Sequence, residues 1–167
     1  MNKLMLIVFS SWLLFVSGCE SKEGLDINSS LIASEKSLPI SFDQISTIDK
    51  KSNSKFIVIR VKDNEDYQEI WDTFQFEQDL KEVDLGKKDV IFLGLYESSS
   101  CPYSIKEINT VEKSKMKIIF SDIEGKCTAD ESPRSFVMVI DKTSSNNIQE
   151  VLLVQGKQEI ALPIIEK

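Results

Sequence analysis

The sequence predicts an α+β fold in a single domain, in which one main helix packs on one face of a mostly antiparallel sheet. Two apolar runs, at residues 90–96 and 136–140, have no polar face and are typical of central strands that are covered on both sides. Short connections rich in turn-forming residues separate the strand candidates, which favours antiparallel pairing. A helical spacing of apolar residues within 67–74 supplies the covering helix.

Residues 1–18 have the features of a lipoprotein signal peptide. One positive charge, Lys3, precedes an apolar run at residues 4–16, which is too short to span a bilayer and typical of a signal peptide. The run ends in Val-Ser-Gly-Cys at residues 16–19, which resembles the bacterial lipobox, where small residues precede a lipidated cysteine. We therefore expect Cys19 to anchor the chain at the extracytoplasmic face of the cell membrane. The alternative is an ordinary signal peptide with an incidental cysteine.

Charge and composition divide the rest of the chain. Without residues 1–18 it has 19 basic residues, one fewer than the full sequence, against 27 acidic ones, and its formal net charge is −8. This acidity argues against binding nucleic acid or docking electrostatically on anionic lipids, so the lipid anchor has to supply the membrane attachment. Residues 19–37 are rich in Ser, Glu, Lys and Asn and predict a flexible tether. Residues 38–167 are long enough to form one folded domain.

The first part of this domain predicts two strands. Residues 37–48 alternate weakly and favour an edge strand, since Pro39 is tolerated only at an edge or at a strand start. Residues 56–61 are rich in β-branched side chains, as is typical of a strand.

The main helix is predicted to begin at Asp63 or Asn64, since either side chain can cap it, and to end before Glu82. Its apolar face follows the i, i+3, i+4, i+7 spacing and consists of Tyr67, Ile70, Trp71 and Phe74. Such an aromatic face could form a ligand platform, but it more often packs a helix onto a sheet. We expect core packing here.

Further strands follow the central run. Residues 103–106 alternate in the manner of a half-buried strand, although Ile108 falls out of phase, and residues 115–121 alternate with Met116, Ile118 and Phe120 on one side. Residues 151–154 and 160–165 predict a closing hairpin with a turn at Gly156 and Lys157, and Pro163 marks the second strand of this hairpin as an edge.

Cys101 and Cys127 lie at the loop ends of two predicted strands. In an exported protein, an even pair of cysteines suggests a disulfide. Closing a loop of this length would stabilise the fold by about 3.5 kcal/mol in the chain-entropy model. A redox dithiol or a metal site is the alternative, but the sequence has no Cys-x-x-Cys and no histidine, so both fit poorly.

The composition restricts the available chemistry. The absence of histidine excludes Ser-His-Asp and Cys-His arrangements and histidine-ligated metals, and six scattered glycines form no phosphate-binding loop. Residues 98–100 could supply the serine of a Ser-Lys dyad, residues 122–125 faintly resemble part of a calcium loop, and Asp130 and Glu131 form a carboxylate pair. Each pattern is more typical of a solvated surface. We predict that the chain is not an enzyme and that it uses no cofactor or metal.

Four segments follow one another in an order that is known from a protein family. They are VDL at residues 83–85, VIFLG at 90–94, CPYSIKEI at 101–108, and Pro133 followed by FVMV at 136–139. This succession resembles the C-terminal domain of the PrcB-type protease-complex subunits. That family shows a V-D-F-like step, an apolar strand ending in Leu-Gly, a Gly-Gly-Tyr-x-Ile segment and a Pro-x-x-x-Val-Val strand.

The resemblance covers residues 83–142, about a third of the chain, and departs from the family where Cys101 and Pro102 replace the glycine pair. It implies a non-catalytic, lipid-anchored accessory protein that stabilises or assists a secreted or surface protease. Tyr103 is the residue that the resemblance offers for partner contact, and its simpler interpretation is an aromatic side chain on a sheet face.

Three functions from different classes follow. The preferred one is a membrane-anchored accessory or interaction module at the cell surface. A lipoprotein that binds a small solute or an ion is the alternative, which requires a concave site with convergent polar groups. A hydrolase would require a Ser-Lys or carboxylate pair that the fold brings together.

Overall fold

The computed structural model describes residues 24–25, 30–51, 54–111 and 114–167. The predicted signal peptide and the predicted lipidation site, Cys19, lie outside the described residues. In these ranges, no helix is long and apolar enough to cross a membrane.

The strands and helices are numbered in chain order. The strands are β1 (Gly24–Leu25), β2 (Leu31–Glu35), β3 (Thr47–Asp49), β4 (Ser54–Val61), β5 (Lys88–Glu97), β6 (Ile105–Val111), β7 (Lys115–Phe120), β8 (Ser132–Asp141), β9 (Glu150–Gln155), β10 (Gln158–Pro163) and β11 (Ile165–Glu166). The helices are α1 (Phe42–Ile45), α2 (Asn64–Thr73) and α3 (Lys142–Ser145).

The strands form two sheets. The first has the order β11-β4-β5-β8-β2, with β3 also paired to β4, and the second has the order β1-β6-β7-β9-β10. Most pairs are antiparallel, while β7 with β9 and β11 with β4 are parallel. The predicted fold class is therefore confirmed. The strands predicted to form one sheet, however, divide between two.

The central strand β5 shows why its sequence is apolar on both faces. Ile91, Leu93 and Leu95 belong to the core between the two sheets, whereas Val90 and Phe92 belong to a second core beneath α2. All five side chains are fully buried. The prediction of a strand covered on both sides is confirmed, and the cover is α2 on one side and the second sheet on the other.

Helix α2 begins and packs as predicted. Asp63 is the N-cap, and its side chain accepts a hydrogen bond of 2.9 Å from the backbone amide of Asp66. The four residues of the predicted apolar face, Tyr67, Ile70, Trp71 and Phe74, are all buried against the first sheet. The aromatic side chains therefore pack the helix onto the sheet, and the regular helix ends at Thr73.

Two expectations for the N-terminal region are wrong. Gly24–Leu25 and Leu31–Glu35 were assigned to the flexible tether, but they form β1, paired antiparallel to β6, and β2, an edge strand paired antiparallel to β8. Strand β2 was missed because polar residues surround the short apolar run at residues 31–33 on both sides, and only Ala33 in this strand is buried. Residues 37–48 were predicted as one strand, but Phe42–Ile45 forms α1 and only Thr47–Asp49 forms a strand.

The chain between β2 and α1 crosses the helix-covered face of the first sheet above Gly94. A Cβ atom at Gly94 would lie 2.7 Å from Leu38 Cδ2 and 2.9 Å from Ile57 Cγ2. The glycine thus gives the crossing segment the room to pack against the strand.

A bulge in β6 explains the phase error in its sequence. Ile105 pairs with Phe120, and Glu107 pairs with Ile119, which leaves Lys106 as the extra residue. Because of this extra residue, Ile105 and Ile108 both face the core between the sheets.

The predicted closing hairpin is confirmed. β9 and β10 pair antiparallel across a turn in which Gly156 has a φ of 56°, a conformation that favours glycine. Pro163 ends β10, which is an edge strand of the second sheet as predicted.

Candidate functional site at the disulfide-clamped end

One end of the sandwich carries two loops that are joined covalently. Residues 98–104 follow β5, and residues 121–131 connect β7 to β8. The predicted disulfide between Cys101 and Cys127 is confirmed, with a Cα–Cα distance of 5.6 Å. Cys101 is nearly buried, and Cys127 is exposed. We call these two loops the clamped end.

Hydroxyl groups reinforce the disulfide. Ser98 Oγ lies 2.9 Å from Thr128 Oγ1, and the Thr128 amide donates a 2.9 Å hydrogen bond to Ser100 Oγ. The Ser99 amide donates to Asp130 Oδ2 at 3.1 Å, and the Thr128 hydroxyl donates to the other oxygen of Asp130. Hydrogen bonds from Ser99 and Thr128 lower the pKa of Asp130 from 3.8 to about 2. The two loops are therefore held together at several points.

These contacts bear on the hydrolase hypothesis. It required one of the three serines to lie within hydrogen-bonding distance of a buried lysine. Among the described residues, Ser98, Ser99 and Ser100 instead bond to Thr128 and Asp130. This serine run does not form a Ser-Lys dyad.

Beneath the loops, a buried ion pair fixes the start of the segment that contains Tyr103. The side chain of Glu97 is fully buried and that of Arg134 nearly so. Arg134 Nε and Nη2 lie 2.8 Å and 2.7 Å from Glu97 Oε1. The Tyr103 amide donates a 2.7 Å hydrogen bond to Glu97 Oε2. Because both carboxylate oxygens have partners, the buried charge is compensated.

This ion pair was not predicted, although the sequence contains a signal for it. Glu97 comes directly after the apolar run of β5, and Arg134 comes just before the apolar run of β8. In an antiparallel pair, the end of one strand lies beside the start of the other. Opposite charges at those two positions therefore could have indicated a pair.

Tyr103 is half-buried and packs at the mouth of a small cavity. Its ring lies against Phe120, with ring centroids 4.8 Å apart and planes 29° from parallel. Burial, together with the negative charge of Glu97, raises the pKa of Tyr103. The cavity has a volume of about 50 Å³. It is lined by Ser54, Phe56, Tyr103, Phe120, Leu153, Val154, Gln155, Gln158 and Ile160.

The shape and lining of this cavity limit what it can accept. Aromatic and aliphatic side chains form its walls, and the amide groups of Gln155 and Gln158 supply polar atoms. Pockets for drug-sized ligands have volumes of about 300–1,000 Å³. This cavity is therefore suited to one small apolar group, such as a side chain of a bound protein.

A wider and more open depression lies beside α2, with a volume of about 590 Å³. It is lined by Asn64, Tyr67, Leu80, Lys81, Glu82, Val83 and Asp84. The Tyr67 hydroxyl donates a 3.1 Å hydrogen bond to the carbonyl oxygen of Lys81, within the wall itself. Burial raises the pKa of Tyr67 to about 12, so this hydroxyl keeps its proton at neutral pH.

The part of the chain that the structure describes contains no group of three or more cysteine, aspartate or glutamate side chains arranged to hold a metal ion. The calcium-like segment at residues 122–125 is an exposed part of the clamped end. Asp130 of the predicted carboxylate pair bonds within the clamp instead.

The opposite end of β5 holds a second buried acid. Ser145 Oγ donates a 2.5 Å hydrogen bond to Asp89 Oδ2, and both side chains are fully buried. Asp89 Oδ1 has no hydrogen-bond partner among the described residues, and Lys142 Nζ lies 3.8 Å from it. Arg60 Nη1 donates to the Ser145 carbonyl oxygen at 2.6 Å and also pairs with Glu166. These contacts join α3 to β4, β5 and β11 of the first sheet.

Comparison with models of protein families, with curated proteins and with solved structures gives no match. The resemblance to PrcB-type subunits stays a prediction.

Proposed function

We propose that the chain is a lipid-anchored protein of the cell surface that binds a partner protein through the clamped end and acts as a non-catalytic accessory module. A secreted or surface protease is the partner class that the sequence resemblance implies. The observation that carries the proposal is the fixed and partly exposed position of Tyr103, between the Glu97–Arg134 pair below it and the small cavity beside it.

Rigidity supports this proposal. Association costs free energy for every loop and side chain that has to become ordered in the complex. At the clamped end, the disulfide and the Ser98–Thr128 and Ser99–Asp130 hydrogen bonds have already ordered both loops. A partner that docks there meets a surface with little conformational freedom left to lose.

The chemistry of the surface is also that of a protein interface. Tyrosine is enriched at such interfaces, since it combines a large apolar area with few rotatable bonds. Tyr103 and Phe120 form an aromatic pair beside a cavity that fits one small apolar side chain. Around them, serine and threonine hydroxyls offer short polar groups that can donate or accept hydrogen bonds.

The alternative, a lipoprotein that binds a small solute, would use the 590 Å³ depression beside α2. Its volume falls in the range of ligand pockets. Its tyrosine hydroxyl, however, already bonds to Lys81 in the wall. The accessory function is therefore the better supported of the two.

A crosslinked pull-down from native membranes tests the proposal, with the full-length chain tagged after Lys167 and the captured proteins identified by mass spectrometry. We expect one stoichiometric surface protein, with a protease as the specific expectation. In the variant Gln158→Arg, a long cationic side chain is introduced at the cavity rim, and capture should fall by about tenfold or more if the partner fills the cavity.

The matched control is Gln68→Arg, which makes the same substitution at an exposed position on α2. Capture by this variant should equal that by the parent chain. The proposal fails if the chain is recovered alone from the membranes, or if both variants capture the partner as well as the parent chain does.

A further inference from the structure

The second sheet ends in β10, and the outer edge of this strand is open. β10 pairs with β9 on one side, and in the described part of the chain no strand pairs with its other side. The neighbouring edge of the first sheet differs, because β3 and β11 each pair with part of β4. An edge strand without such cover presents a row of backbone N–H and C=O groups that can pair with another chain.

The register with β9 identifies the backbone groups that point outward. Gln155 and Gln158 flank a two-residue turn, and the closing pair of such a hairpin exchanges both of its backbone hydrogen bonds. Residues alternate from there, so the amide and carbonyl groups of Glu159 and Ala161 point away from β9. Among the described residues, these groups have no backbone partner. Pro163 falls in the same phase, where a residue without an N–H is tolerated.

The inward face of β10 leads into the small cavity beside Tyr103. Gln158 and Ile160 both line this cavity, together with Phe56 of β4. Since side chains alternate along a strand, a strand added to β10 would direct every second side chain to the same face as Ile160. The residue across from Ile160 would then lie beside the cavity, whose volume of about 50 Å³ fits one small apolar group.

The first sheet leaves room for a strand at this position. Because Phe56 lines the same cavity as Gln158 and Ile160, β10 lies across from β4. β3 pairs with the outer edge of β4 and therefore extends one strand further than β10 does. Thr47 of β3 pairs with Phe56, so its side chain is on the face toward the second sheet, and it is only half-buried. A strand added to β10 would lie across from β3 and cover this face.

The open edge is continuous with the clamped end. β7 and β9 are parallel, and β7 leads into the loop at residues 121–131, so β9 ends and β10 begins at the clamped end. Beyond Pro163 the chain crosses to the first sheet, where β11 pairs with β4. The open edge therefore runs from the clamped end to this crossing, over the six residues of β10.

We infer that the partner protein adds an extended segment to the open edge of β10, as a further strand of the second sheet. The outward backbone groups of Glu159 and Ala161 bond to this segment, and one of its small aliphatic side chains fills the cavity beside Tyr103. In this mode of binding, backbone hydrogen bonds supply affinity and the cavity supplies specificity. The inference rests on the proposed function, since it names how the partner binds at the clamped end.

A proline at residue 161 tests the backbone contact. Ala161→Pro removes an outward amide that the pairing with β9 does not use. The control is Ala161→Val, which adds bulk at the same exposed position and keeps the amide. In the crosslinked pull-down from native membranes, Ala161→Pro should lower capture by about tenfold relative to Ala161→Val, because the added strand loses a hydrogen bond and meets the proline ring.

Hydrogen exchange gives a second measurement, on the parent chain. Mass spectrometry of the crosslinked peptides identifies the partner segment beside β10, and a synthetic peptide of that sequence is the probe. Its binding should slow exchange of the Glu159 and Ala161 amides by about tenfold or more, whereas the Ile160 and Leu162 amides already bond to β9 and should change much less. This alternation distinguishes an added strand from a partner that contacts side chains alone.

The outcomes separate this inference from the proposed function. Equal capture by Ala161→Pro and Ala161→Val would overturn the added strand and leave partner binding intact. If Ala161→Pro loses the fluorescence of the buried Trp71, the variant is unfolded, and the amide pattern of the parent chain decides instead. A crosslink through β10 between two copies of this chain would assign the edge to self-association and overturn the inference. A chain recovered alone from the membranes would remove both the proposed function and the added strand.

Discussion

Each end of the central strand β5 carries a buried carboxylate, and the two carboxylates differ in their hydrogen-bonding and ionic partners. The residue numbers of Asp89 and Glu97 differ by an even number, so both side chains project from the face of β5 that packs on the second sheet. Both are fully buried. The two carboxylates therefore bracket the apolar core between the sheets, one at each end.

Their partners differ. Glu97 receives hydrogen bonds from the Tyr103 amide at 2.7 Å and from Arg134 Nε at 2.8 Å, and Arg134 Nη2 forms an ion pair with it at 2.7 Å, so each of its oxygens has a partner. Asp89 receives one short hydrogen bond from Ser145, while its other oxygen has only Lys142 nearby, 3.8 Å away. The clamped end is thus the more rigidly specified of the two, which is what a preorganised binding surface requires.

The largest effect that we predict comes from removing one cation at each end. Arg134→Met leaves Glu97 buried without its ionic partner and should lower the free energy of unfolding by about 3–5 kcal/mol. Lys142→Met removes a lysine that is about a third exposed and makes no hydrogen bond to Asp89, so the loss should be about 1 kcal/mol. Equilibrium unfolding in urea measures both values. Equal losses would mean that the two ends are equivalent.

The second-largest effect on the free energy of unfolding should come from removal of the disulfide. Replacing both cysteines by serine frees a loop with a sequence separation of 26 residues and should lower the free energy of unfolding by about 3.5 kcal/mol. The local effect should fall on the clamped end, where hydrogen exchange of the Ser99 and Tyr103 amides should accelerate more than exchange in the strand beside Asp89. Uniform acceleration along β5 would show that the disulfide does not act locally.

The smallest effect that we predict is the response of the clamped end to low pH. Because the folded-state pKa of Asp130 is lowered from 3.8 to about 2, its stabilising contribution is fully present above a pH of about 4 and is lost as the pH falls through about 2. Exchange of the Ser99 amide should accelerate over that range, and Asp130→Asn should abolish the pH dependence. Asp122→Asn, in the same loop, serves as the control and should leave the pH profile unchanged. A profile that Asp130→Asn does not alter would assign the acid response to another group.

The features that the sequence predicted are those that depend on nearby residues. The two-sided apolar runs at residues 90–96 and 136–140 became central strands, and Asp63 capped the helix as expected. The closing hairpin around Gly156 also followed from local turn chemistry. In each case, the period and the flanking residues determine the structure.

The features that it did not predict depend on pairing between distant segments. The sequence of Val90–Tyr96 indicates a strand that is covered on both faces. The spacing of its apolar residues does not indicate whether a helix or another sheet covers each face. Leu31–Glu35 lies within a stretch that is polar on average, and as an edge strand it buries few of its side chains, so its short apolar run did not indicate a strand. The Glu97–Arg134 pair required knowledge that β5 and β8 are neighbours. This pair positions Tyr103, because Glu97 accepts the hydrogen bond from the Tyr103 amide.

The order of strands in the second sheet also matters for a chain that is synthesised from its N-terminus. β9 and β10 come from the last part of the sequence, yet β9 lies between β7 and β10 and contributes Val151 and Leu153 to the core between the sheets. Until that segment emerges, the apolar face of the first sheet has an incomplete cover, and water reaches side chains that the finished protein buries. The core between the sheets can therefore be completed only when translation has nearly ended, and truncation before residue 150 should yield a product that proteases remove.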